Sequence, residues 1–217
     1  MIFAPLGCLA ALLLFLSVPL ILALLFLNLI TFSFGELGLS ASSAMTLILL
    51  MLVGSLINIP LSRKRVTYVR PTSVRGVFSP PVTEYAGVAL NVGGAVIPVC
   101  LSLYLLTVMP SLWQVGVATG TMAVVARLSA RIIPGRGIVM PMFVPPILSA
   151  LLAILLAREF AAPVAYVAGT IGTLIGADLL NLPRIHRFQG VVSIGGAGLF
   201  DGIFLVGIVA VFLTALV

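Results

Sequence analysis

The chain is built from apolar runs about as long as a bilayer is thick. Residues 5–32 hold no charged side chain, and six further segments hold at most one each: about 43–61, 85–109, 111–130, 138–157, 161–182 and 191–217. A helix needs roughly 20 such residues to cross the hydrocarbon core. The 217 residues are 62% hydrophobic and only 7% charged, against about 25% charge in a soluble domain. That balance excludes disorder, a collagen, a small disulfide scaffold and an ordinary water-soluble enzyme. The sequence predicts an all-α polytopic transmembrane helical bundle of about seven spans, a single integral membrane domain over 1–217. The first run has no Lys or Arg before it and is read as a retained span, not a signal peptide, with a kink expected at Pro19.

Charge sets the expected orientation. Eleven Lys and Arg face five Asp and Glu, a net charge of +6. Arg63, Lys64, Arg65, Arg70 and Arg75 fall between segments two and three, Arg127, Arg131 and Arg136 between four and five, and Arg184 and Arg187 between six and seven. With seven spans these loops share one side, and only Arg158 is left for the other. The positive-inside rule then puts the N-terminus in the cytoplasm and the C-terminus outside. The stretch 62–84 is expected to be an irregular, basic cytoplasmic loop in contact with lipid headgroups. Membrane lipids are the expected partners. Nucleic acid is not, because no basic patch interleaved with aromatics exists.

Two aspartates occur in the chain, Asp178 in segment six and Asp201 in segment seven. A carboxylate inside the bilayer is costly, so their placement within apolar runs is the most informative feature of the sequence. Consecutive antiparallel segments are neighbours, which puts both acids toward one face. Two carboxylates in one low-dielectric site cannot both ionise easily, so one holds a proton. One can then act as a base toward water and the other as an acid toward a carbonyl. Depth matters: at 1.5 Å per residue, Asp178 lies roughly 6 Å and Asp201 roughly 15 Å inside their segments if both are helical throughout. The mismatch closes if 193–198, rich in small residues, is extended or re-entrant. Two other readings stand beside this one. Asp201 can cap a helix starting at Gly202 while Asp178 faces Arg184 or Arg187, or the pair can carry protons or ions.

Segment three holds Asn91-Val-Gly-Gly-Ala-Val-Ile-Pro98. An Asn at that depth needs a partner, and the Gly-Gly pair permits either a close-packed kink or an unwound binding site. Gly169, Gly172 and Gly176 repeat at three- and four-residue spacing and form a packing face beside Asp178. Cys8 and Cys100 read as small buried hydrophobes. His186 has no second ligand nearby, so no metal or cofactor is expected.

Gly87 to Pro98, Gly172 to Leu182 and Gly195 to Gly207 resemble stretches of a prokaryotic multi-pass membrane protein family of unknown function. Gly196-Ala-Gly-Leu-Phe-Asp-Gly-Ile-Phe is also similar, more distantly, to the Gly-x-Gly-Asp motif of the GxGD aspartyl intramembrane proteases, the presenilin and signal-peptide-peptidase group. Leu199 and Phe200 separate Gly198 from Asp201, Ala177 precedes Asp178 where that group has Tyr, and its late Pro-Ala-Leu helix has no counterpart. The resemblance implies an Asp178/Asp201 catalytic dyad, with Gly196, Gly198 and Asn91 at a membrane-embedded peptide substrate. A small ion- or proton-coupled transporter, or a non-catalytic membrane scaffold, are the competing expectations.

Overall fold

The computed structural model describes residues 3–68, 82–133, 137–185, 191–196 and 202–217, and they are mostly helical. The helices are α1 (Phe3–Glu36), α2 (Ala41–Ser55), α3 (Ile97–Val108), α4 (Leu112–Ser129), α5 (Val144–Leu156), α6 (Ala161–Thr173), α7 (Leu182–Ile185) and α8 (Gly202–Thr214). Two helical stretches are long and apolar enough to cross a membrane, Leu13–Glu36 and Arg158–Asn181. Each apolar run in the sequence thus contributes a helix, but several helices are shorter than the runs that contain them.

α6 is the axis of the molecule. Residues 164–170 are all buried, the mark of a helix enclosed on every side. Its glycines let the neighbours approach. A Cβ at Gly169 would press on Val206 and Ser149, at Gly172 on Met122, and at Gly176 on Ala123 and Ala126. α4, α5 and α8 therefore pack directly on α6, as the small-residue spacing led us to expect. Ile30 and Phe34 of α1, Ile48 of α2 and Leu105 of α3 extend the same core, with Val211 of α8. α1 differs. It runs on through Pro19, and apolar side chains from Leu13 to Leu25 stand exposed.

The main departure from expectation is a small sheet. β1 (Asn58–Tyr68) pairs antiparallel with β2 (Val82–Asn91), and β2 pairs parallel with β5 (Val191–Ile194). β3 (Arg131–Ile133) and β4 (Gly137–Val139) form a separate hairpin. The described part of 62–84 is thus strand rather than irregular loop. The ladder skips a residue between Pro60 and Ser62, as expected where proline withholds an N–H from the pairing. Segments three and seven likewise begin as strands: their backbone groups bond to each other, Gly87 to Leu90 beside Val191 to Ile194.

β2 passes into α3 through a π-helical turn, Val92–Val96. A Cβ on Gly93 would fall on the Met51 carbonyl of α2 and on the Ser55 amide, so α2 and this turn touch backbone to backbone. Gly93→Ala should destabilise the protein by about 1–3 kcal/mol through overpacking. Gly116 of α4 meets nothing within 4 Å, and Gly116→Ala should gain roughly 1 kcal/mol of helix propensity. Thermal unfolding in detergent checks both, and equal effects would contradict the crossing.

Candidate functional site

Asp178 closes a second π-helical turn, Leu174–Asp178, at the end of α6, followed by a 3₁₀ turn, Leu179–Asn181. A π turn inserts one residue into a helix and commonly sits at a functional position. Asp178 is 9% exposed. Its Oδ2 accepts a hydrogen bond of 2.8 Å from the Gly195 amide. Asn181 braces the turn by donating from Nδ2 to the Ala177 carbonyl at 2.7 Å.

The donor belongs to a turn whose backbone favours glycine. Gly195 and Gly196 follow β5 with φ of +81° and +78°, a left-handed conformation costly for other residues. Gly195 is also pressed from outside, since a Cβ there would strike Ala95 at 2.6 Å. In return, a Cβ on Gly94 would land on the Gly195 carbonyl. The turn before α8 and the turn before α3 cross with no side chain between them.

Asn91 holds the other side of this crossing. It is 1% exposed. Its Oδ1 accepts from the Gly94 amide at 2.7 Å, and its Nδ2 donates to the Ser55 carbonyl at 2.8 Å and to Asn58 Oδ1 at 3.2 Å. Ser193 donates its hydroxyl to the same Asn58 oxygen at 2.7 Å. Asn58 thus ties the ends of β1, β2 and β5 together. Hydrogen bonds link Asn58, Asn91 and Gly94, and Gly94 lies against Gly195, the donor to Asp178.

Asp178, Gly196 and Asn91 are therefore brought to one end of the bundle. Asp178 reaches the Gly195–Gly196 turn directly, and Asn91 reaches it through Gly94. Gly198 and Asp201 lie outside the described residues, as does His186. The stretch Ser193 to Gly196 is non-helical, the condition under which the two aspartates can draw level, and α8 begins at Gly202, one residue after Asp201. Sequence reasoning passed over Asn58, Ser193 and Gly195. Asn58 was the readable one, a second Asn in an apolar segment with the same need for a partner.

α6 and α8 fix the vertical scale. Gly169 faces Val206, and Gly207 faces Tyr166 and Thr170. Counting away from the Gly169–Val206 contact at 1.5 Å per residue, Asp178 lies about 13 Å along α6 and Gly202 about 6 Å along α8, toward the same end.

Comparison with known proteins adds a family. Residues 52–213 match the model of a family described as a protein of unknown function, DUF1614. No curated protein and no solved structure matches the chain.

The Asp178–Gly195 bond predicts an ordering of stabilities. Asp178→Asn keeps an oxygen that can accept from the Gly195 amide. Asp178→Ala leaves that buried N–H without a partner, at a cost of about 1–3 kcal/mol. Unfolding midpoints should fall in the order parent, then Asn, then Ala. An alanine variant as stable as the asparagine variant would show that the bond contributes nothing.

Proposed function

The chain belongs to the DUF1614 family, whose description names no activity, and from the site we propose that it is an intramembrane aspartyl protease-like protein with Asp178 and Asp201 as its dyad. The single observation that carries the reading is the burial of Asp178 in a π turn, bonded to a glycine six residues before the only other aspartate in the chain. The α6–α8 packing adds support. It leaves only a few residues of level difference between Asp178 and the start of α8.

We take the protein to sit in a prokaryotic cytoplasmic membrane as seven spans, N-terminus inside. The uncovered apolar surface of α1 supports this, since exposing it to water costs about 25 cal/mol per Å². The short helices α3 and α8 are each extended by strand and turn. Ala89, Ile194 and Gly195 are buried in protein, the setting in which non-helical backbone is tolerated at membrane depth.

In this reading the ionised aspartate takes a proton from water as the water oxygen attacks the scissile carbonyl. The protonated aspartate gives its proton to the carbonyl oxygen. The resulting diol collapses as the newly protonated aspartate gives its proton to the amide nitrogen, the newly ionised one takes a diol hydroxyl proton and the C–N bond breaks, which returns the pair to its starting state. Gly196 and Gly198 let a substrate backbone come close. Asn91 acts through the end of β2, which it holds in place. The competing transport reading asks Asn91 to line a polar path, yet both its donors and its acceptor are engaged by protein groups.

The test is cleavage of a panel of membrane-anchored peptides by purified protein. Asp178→Asn and Asp201→Asn should each lower the rate by at least about a hundredfold, with both variants recovered in the membrane fraction. Cleavage that survives both changes, or a parent protein that cuts nothing in the panel, rejects the protease.

A further inference from the structure

We infer that Thr173, Asp178 and the first turn of α8 form a binding site for one buried water molecule. Its chemical use rests on the reading of Asp178 as the reactive centre, but its existence does not require proteolysis. The first observation is the Thr173 hydroxyl. Several helical hydroxyls in this protein bond back to a carbonyl one turn earlier, Thr31 to Leu27, Ser33 to Leu29, Thr46 to Ser42, Ser102 to Pro98 and Ser149 to Pro145, all at 2.8–2.9 Å, whereas Thr119, Thr170 and Thr173 do not. Of these three only Thr173 adjoins the π turn that ends in Asp178. Thr173 is 3% exposed and its Oγ1 has no hydrogen-bond partner among the described residues. A buried hydroxyl that forgoes its own helix needs another partner.

The second observation is the π turn. In an α-helix, residues five apart are rotated by about 140°. The π turn that follows Thr173 replaces this with i to i+5 pairing. That pairing brings Asp178 nearly over Thr173, on the same face.

The third is the level of α8. From the Gly169–Val206 contact, four residues along α6 reach Thr173 and four back along α8 reach Gly202. Ile203 packs in one cluster with Leu174, the residue after Thr173. The first amides of α8 have no partner within their own helix. A hydroxyl, a carboxylate and helix-end N–H donors thus converge, and a buried water takes two to four polar partners. The water would couple Asp178 to the start of α8, whose first residue follows Asp201 in the chain.

The sequence supplies a clean probe. In an Asp201→Asn chain, Asp178 is the only aspartate, so ¹³C-aspartate labelling reports on its carboxyl carbon alone. Solid-state NMR in lipid bilayers measures how fast magnetisation passes from water to that carbon. Thr173→Ser should match the parent, and Thr173→Val and Thr173→Ala should slow the transfer severalfold with the labelled chain still folded. Transfer as fast in both apolar variants as in the parent overturns the site. The measurement involves no cleavage. If the parent protein cuts no peptide while the Asp201→Asn series shows this split, the water site is kept and the protease lost; if the parent cuts peptides and the series shows no split, the reverse holds.

Discussion

One hydrogen bond joins two parts of the chain that have no local reason to meet. The Asp178 carboxylate at the end of the central helix accepts from Gly195, in the turn that leads into the last helix. This bond sets the height of that turn against α6. The parallel pairing of β2 with β5 sets its direction. Asp178 is therefore part of the structural frame as well as the candidate chemistry. A carboxylate placed this deep is expensive unless its oxygens are satisfied, and a backbone amide presented by a glycine turn is one way to satisfy it.

Close backbone crossings do the rest. Gly54 and Gly93, and Gly94 and Gly195, let α2, the turn before α3 and the turn before α8 approach without side chains between them. Asn91 fills the remaining polar demand at that junction. The result is an end of the bundle made of strand, turn and π helix, in which Asn58, Asn91, Ser193 and Asp178 bond to one another's elements. An apolar helical bundle could bury its side chains without any of this. The irregular end is where the fold departs from the simplest answer, and such departures mark places that local propensity does not explain.

The helices were legible because each apolar run is long, and the packing face of α6 because Gly169, Gly172 and Gly176 repeat at helical spacing. The non-helical start of segment seven was legible as an alternative, from the small residues after Ser193. The sheet was not. Gly87 pairs with Val191, about a hundred positions away, and no local period reports so distant a bond. Arg63, Lys64 and Arg65 look like headgroup anchors in sequence, and nothing in their spacing distinguishes a strand from a loop. The π turns were equally hidden, since a single inserted residue leaves the composition unchanged. Asp178 and Asn91 stand out in the sequence because polar groups in apolar runs are conspicuous. Their bonding partners do not, because those partners are mostly backbone.

The account stands on the two aspartates meeting where α6 ends and α8 begins, and cross-linking tests that most directly. In a chain with Cys8 and Cys100 replaced by serine, paired Asp178→Cys and Asp201→Cys should be joined within one molecule by a short bis-thiosulfonate linker. The pair Asn58→Cys and Ser193→Cys, whose parent side chains bond to each other at 2.7 Å, calibrates the reaction. Linkage of the aspartate positions at a rate like that of the calibrating pair is the predicted result. Linkage of the calibrating pair alone, with positions 178 and 201 reacting separately, would contradict the account.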